Sequence, residues 1–168
     1  FYHSSSIMGL EPIDRTVYRD FANRHLARNG KTISDEAFSY IYDRFDGVTW
    51  YIQYILNMLY TAISTDRLLT TDDAKAAIAG ILAQHRFAYQ ALVYQLTSKQ
   101  KLVLTAIAAE NGPTSIMSQA FLRKYGLGAS TVQGAVKVLL DRDFISQDDG
   151  AYRLCDKFLE MYLQEELQ

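Results

Sequence analysis

Residues 127–154, LGASTVQGAVKVLLDRDFISQDDGAYRL, constrain the fold of this chain more than any other stretch. They open on a short Leu127-Gly128-Ala129 turn. Ser130 then stands where a helix N-cap is expected, since its hydroxyl can accept from an unpaired backbone N–H of the first turn. Val132, Val136, Leu139 and Leu140 follow at helical spacing and mark a buried face. Residues 144–146 and 151–154 next alternate like paired strands. Gln147-Asp148-Asp149-Gly150 joins them, with Gly150 suited to a positive φ.

The flanking segments complete a recognisable order. Residues 98–110 are amphipathic, with Leu102, Ala106 and Ile107 inward; the helix begins at Thr97 or Ser98, and Asn111-Gly112-Pro113 stops it. Ser115 is the expected cap of a second helix that ends at Tyr125-Gly126, and Asp156 caps a last helix over residues 157–167. Helix, helix, turn, helix, hairpin resembles a winged helix-turn-helix, whose third helix can enter the DNA major groove. Ser130, Thr131, Gln133, Gly134 and Lys137 are its candidate contacts, with Arg123 and Lys124 ending the preceding helix and Arg153 on the wing. Gln133 could pair with adenine, and the hydroxyls with a base or a phosphate.

Charge opposes that use. The chain has 17 Lys and Arg against 19 Asp and Glu, for a net −2. Nine basic and ten acidic residues precede Thr97; eight and nine follow from it, so each part is at −1. Asp141 and Asp143 close the third helix, and Asp148 and Asp149 form the wing tip. Phosphate neutralisation supplies most non-specific DNA affinity. Both DNA and protein therefore stand as partners for the winged helix.

The first part reads as helices throughout, and only two prolines interrupt the chain. Asp14 caps a helix to Arg28 with Val17, Phe21 and Leu26 near one face; Asn29-Gly30 closes it. Ser34 starts a second, with Phe38, Ile41 and Phe45 inward, broken by Asp46-Gly47. A third covers residues 49–64, with Ile52, Ile55, Leu56 and Leu59 inward. Thr70 or Thr71 caps a fourth, which runs through Ile78, Ile81 and Leu82 and past Val93. Texture changes near Leu96-Thr97, which sets the expected division: a helical domain over residues 1–96 and a winged helix over residues 97–168. The fold class is mainly α, a helical bundle followed by a winged helix with a small β-hairpin.

The stretch Arg44-Phe45-Asp46-Gly47-Val48-Thr49-Trp50-Tyr51-Ile52-Gln53 resembles the lid of the archaeal-type P-loop ATPases, relatives of the AAA+ and STAND switches. The lead-in at residues 7–13 is similar to that family's passage from ATPase core to lid. The start at residues 96–101 and the exit at residues 154–158 are similar to its C-terminal domain. In that family a Gly-x-Pro opens a lid helix near the adenine, so the resemblance makes Gly47, Val48 and Thr49 nucleotide-proximal. Thr49 stands where the family has proline, and the helix from residue 50 to 64 carries no arginine to reach a γ-phosphate.

The resemblance implies a C-terminal regulatory segment. Its lid would close over nucleotide held by an N-terminal ATPase core outside this chain, with ATP and Mg belonging to that core. The chain begins at Phe1, as a piece of a longer protein would. It has no Gly-x-x-x-x-Gly-Lys-Ser/Thr loop, so neither hydrolysis nor a cofactor is expected within it. The alternative is a DNA-binding transcriptional regulator whose helical part dimerises.

The remaining chemistry-bearing residues are sparse. His3, His25 and His85 lie far apart, without ligands at metal spacing. Cys155 is the one cysteine, expected to be a small packed residue; a single thiol suits a reducing cytoplasm. Tyr40, Tyr42, Trp50, Tyr51, Tyr54 and Tyr60 crowd one region, read as helix packing ahead of an interdomain surface. No apolar run approaches the roughly 20 residues that span a bilayer, and no catalytic constellation is visible.

Overall fold

The computed structural model of the chain describes residues 12–62 and 67–166. The lead-in at residues 7–11, His3, the third helix's expected end at residues 63–64 and residues 167–168 lie outside the described residues. The chain divides into two compact units, residues 1–81 and 82–168. The break at residues 95–97, where the sequence changes texture, separates two helices of the second unit.

The first unit begins with α1 (Arg15–Leu26), whose first turn is capped by the Asp14 carboxylate accepting from the Thr16 and Val17 N–H groups. Its buried row is Tyr18, Ala22 and Leu26, at intervals of four. Val17 and Phe21, expected inside, are exposed. Tyr18 decides which face is buried. Its ring meets Phe38 edge-on at 5.6 Å, and its hydroxyl donates to the Thr49 carbonyl at 3.4 Å, so a polar-tipped ring serves as core. A 3-10 turn over Ala27–Asn29 and a left-handed Gly30 at φ 63° turn the chain into β1 (Lys31–Ile33).

Ser34 caps α2 (Asp35–Arg44) by accepting from the Ala37 N–H at 3.1 Å. Ala37, Phe38 and Ile41 are buried along α2, and Phe45 just beyond it. Full burial of such a side chain stabilises by about 1.5–3 kcal/mol. The helix ends in a reversal: Gly47 N–H donates to the Tyr42 carbonyl at 2.9 Å while Asp46 adopts φ 52°. There follow α3 (Thr49–Ala62), with Ile52, Ile55 and Leu59 buried, β2 (Arg67–Leu69) and α4 (Thr71–Tyr94). At the start of α4 the Thr70 N–H and hydroxyl both donate to Asp73, at 2.8 and 2.9 Å.

The pairing of β1 with β2 is a finding the helical reading of this region lacked. The two strands run parallel, Lys31 opposite Arg67 and Ile33 opposite Leu69. Lys31 is wholly buried. Its ammonium donates to the Leu59 carbonyl at 3.4 Å and to the Tyr60 carbonyl, and lies 5.4 Å from the Tyr60 ring centroid. These carbonyls belong to the last turn of α3, where backbone acceptors lack helical donors and the helix dipole favours a cation.

In the second unit, Thr97 and Gln100 form a reciprocal capping box at the start of α5 (Ser98–Glu110). Val103, Leu104, Ala106, Ile107 and Ala108 are buried, whereas Leu102, expected inward, is exposed. Ser118, not Ser115, caps α6 (Gln119–Tyr125), accepting from the Phe121 N–H at 3.2 Å. The Ser115 carbonyl instead accepts from the Ser118 N–H within the preceding turn. Gly128, not Ser130, is the N-cap of α7 (Ala129–Asp141), which has no side-chain cap.

Strands β3 (Ile145–Asp148) and β4 (Ala151–Leu154) pair antiparallel, Asp148 opposite Ala151. Their turn is therefore two residues long, Asp149 and Gly150 at φ 48° and 79°. Positive φ at both central positions matches the twist of hairpin strands. Tyr152 N–H donates to the Pro113 carbonyl at 3.0 Å, fixing β4 to the segment after α5. The last described helix is α8 (Lys157–Glu165), capped by Asp156. Leu104, Ile107, Val132, Leu139, Phe158 and Leu159 form this unit's core. Among the described residues no helix is long and apolar enough to cross a membrane.

Candidate interaction surfaces

On α7, burial of Val132, Ala135, Val136 and Leu139 turns the other side outward. Ser130, Gln133, Gly134 and Lys137 are exposed and recur every three or four residues, so they form one polar face; Thr131 is half-buried beside it. Ser130, Thr131 and Gly134 line a cleft of about 320 Å³ with Thr97, Lys99 and Gln100 from the start of α5. Lys99 went unnoticed in the sequence because nothing local relates it to α7. The structure brings these helices together through the buried faces described above.

The other candidates of the winged helix do not join this face. Lys124 lies at a separate cleft of about 350 Å³, with Glu110, Pro113 and Phe121. Its ammonium donates to Glu110 at 2.6 Å, and the Tyr125 hydroxyl donates to the same carboxylate at 2.6 Å. Lys124 and Tyr125 hold the Glu110 carboxyl below its ordinary range, and Glu110 in turn raises Lys124. Arg153 is exposed on β4, with its guanidinium folded toward Gly112: a Cβ at that glycine would lie 3.1 Å from Nη1. Arg142, just past α7, donates to Gln95 at 3.2 Å and lies 5.2 Å from the Phe144 ring centroid. Asp141, Asp143, Asp148 and Asp149 are all exposed.

Cys155 is exposed rather than packed. Partial desolvation of its sulfur raises the thiol pKa against a Ser146 hydrogen bond that lowers it, and the nearby Asp143 and Asp156 carboxylates raise it further. A thiolate is disfavoured there, which argues against a nucleophile.

Gly47, Val48 and Thr49 occupy the junction of α2 and α3 in the first unit. Gly47 is at φ 70°, and a Cβ there would lie 2.8 Å from Tyr42 Cζ and 2.9 Å from Pro12 Cβ. The Tyr42 hydroxyl is itself fixed by donating to the Ile13 carbonyl at 2.7 Å. Only glycine suits that enclosure. Val48 is 45% exposed, and Thr49 opens α3. Beside them Trp50 is 62% exposed, while Tyr51 is buried and stacks on Phe45 at 5.1 Å. The aromatic cluster thus combines core packing with an open ring at the junction.

Residues 87–165 match the family model described as a probable winged helix domain. No curated protein and no solved structure matches the chain.

Proposed function

We propose that the winged helix is a protein-docking module, carried by the lid of a P-loop ATPase whose nucleotide-binding core lies outside this chain. The observation that carries the docking reading is the disposition of charge. Lys124 is held by Glu110, and Arg142 is engaged with Gln95 and Phe144. Four exposed aspartates, Asp141, Asp143, Asp148 and Asp149, border the helix end and the wing tip. Such a surface repels phosphates while leaving Ser130, Gln133 and Lys137 open to a protein surface. The lid reading is supported by the enclosed Gly47 turn, which presents Val48 beside the N-terminus of α3. An apolar side chain next to a helix N-terminus suits an adenine and its phosphates. In this reading ATP and Mg are held by the core, and the lid passes closure to the winged helix.

Two experiments test the two parts. A duplex DNA titration at about 20 mM salt should leave fluorescence anisotropy unchanged, since the exposed aspartates at the helix end and wing tip oppose phosphate contact. Salt-sensitive binding that falls with Lys137→Ala would overturn protein docking. For the lid, hydrogen exchange on the longer protein should slow at Val48 and Thr49 when ATP and Mg are added. Unchanged exchange in a protein that demonstrably binds ATP would remove the lid assignment. The second reading, a DNA-binding regulator, is favoured by the polar face of Ser130, Gln133 and Lys137 with Lys99 across the cleft, and a positive titration would bring it forward.

A further inference from the structure

Between α1 and α3 of the first unit lies a cleft of about 310 Å³, a volume at the lower end of those that hold small molecules. The two helices run alongside each other in the same direction. The Tyr18 hydroxyl donates to the Thr49 carbonyl at 3.4 Å at one end, and the Asn29 amide donates to the Tyr60 carbonyl at 3.3 Å at the other. Buried Ala22 and Leu26 and half-buried Leu56 give the cleft an apolar floor. Its sides are aromatic. Phe21 and His25 line it from α1 with ring centroids 4.4 Å apart, and Tyr60 lines it from α3.

The end at Arg28 and Tyr60 is positive. Arg28 reaches the cleft from the 3-10 turn after α1. The wholly buried Lys31 ammonium lies 5.4 Å from the Tyr60 ring centroid, and its two bonds go to neutral carbonyls. Among the described residues neither cation has a carboxylate partner, and no carboxylate lines the cleft. A buried charge without a counter-charge is costly, and low-dielectric walls focus its field into a cleft. The planar Arg28 guanidinium matches a carboxylate, which accepts two parallel bonds from it.

We infer that this cleft binds a small aromatic carboxylate, its ring between Tyr60 and the Phe21–His25 pair and its carboxylate on Arg28. A neutral ligand would leave both cations uncompensated. An alkyl acid would forgo stacking on rings that line both sides. At the far end the Tyr18 hydroxyl is already engaged by Thr49 and Gln53, so that end meets a ring edge and not a second charge. The seven residues from Gln53 to Tyr60 span about 10 Å of helix, room for two fused rings with a short acid arm. This inference is independent of the nucleotide reading.

Indole-3-acetate is the probe, and indole-3-acetamide is its uncharged counterpart. Two-dimensional NMR of the whole isotope-labelled chain, titrated to about 5 mM probe, should show saturating shifts at residues 21–29 and 53–60. The expected Kd is about 0.1–1 mM for a ligand of this size. The acetamide should bind about tenfold more weakly. Arg28→Ala, at an exposed position, should weaken the acid about tenfold and leave the acetamide unchanged, a split that a structural role for Arg28 would not produce. Phe21→Ala should weaken both ligands together. Acid and acetamide that bind equally, or a folded Arg28→Ala chain that binds the acid as before, would overturn the inference. Shifts that never saturate, or that fall outside the cleft, would do the same. Decanoate binding as tightly as the indole acid would give the cleft to alkyl chains and remove the aromatic assignment.

Discussion

The described residues form two small sheets, built in opposite ways. The hairpin of β3 and β4 is local: eight strand residues meet across a two-residue turn, Asp149-Gly150. The pair β1 and β2 is non-local: three residues meet three, Lys31 opposite Arg67, and α2 and α3 lie between them in the chain. The hairpin carries its instructions in its own residues. The parallel pair is held by what surrounds it, above all by a buried lysine bonded to the end of α3. A short strand can thus be written into a segment or imposed on it.

The largest expected effect comes from removing the imposed support. Lys31→Ala should destabilise by about 3 kcal/mol, since it strips donors from the Leu59 and Tyr60 carbonyls and leaves a void. Site-resolved hydrogen exchange should show protection falling at residues 31–33 and 67–69 and holding at residues 145–154. Equal loss in both sheets would break the comparison.

A pair of glycines sharpens it. Gly47→Ala should cost about 2 kcal/mol, through both its positive φ and the collision with Tyr42 and Pro12. Gly150→Ala should cost about 1 kcal/mol, through φ alone, because nothing lies within 4 Å of the added carbon. Urea midpoints that rank the two the other way would count against this account of the turns.

Acid tests each unit with a single carboxylate and gives the smallest effect. Burial acts to raise the Asp73 pKa, but the Thr70 N–H and hydroxyl and Arg67 together bring it below the ordinary value. Glu110 is likewise lowered, by Lys124 and Tyr125. A depressed folded pKa means stability that is present at neutral pH. It is lost as pH falls below about 4, towards and through the folded value. Asp73→Asn should cost about 0.5–1 kcal/mol at pH 7, as lost caps do, and flatten the acid limb of the first unit's melting curve. Glu110→Gln should flatten that of the second. Unaltered acid limbs in both variants would sink the assignment.

The same contrast explains what could be read from the residues alone. Helix α2 was legible because Ser34 caps it and Phe38, Ile41 and Phe45 keep helical spacing on one buried face. The hairpin was legible because alternation and Gly150 are adjacent. Strands β1 and β2 were not, since three residues carry too little pattern to outweigh their neighbours. In α1 two apolar rows compete, and Tyr18 wins burial only because Phe38 and Thr49 receive it. Ser118 displaced Ser115 as cap because the Ser115 turn precedes the helix, and Gly128 displaced Ser130 because α7 begins one residue before that serine. At the candidate surfaces, Ser130, Gln133 and Lys137 shared a face by helical spacing alone. The loss of Lys124 to Glu110 required knowing how α5 approaches α6.

The buried Lys31 also bears on synthesis. Its acceptors lie 28 and 29 residues later in the chain. As the polypeptide leaves the ribosome, Lys31 emerges before Leu59 and Tyr60 exist outside the tunnel, and an ammonium will not surrender its water without a receiver. The β1 segment must stay hydrated until α3 is finished, then dock as the last turn of that helix closes. The side chain that pins the completed unit thus gains its acceptors only after α3 has been made.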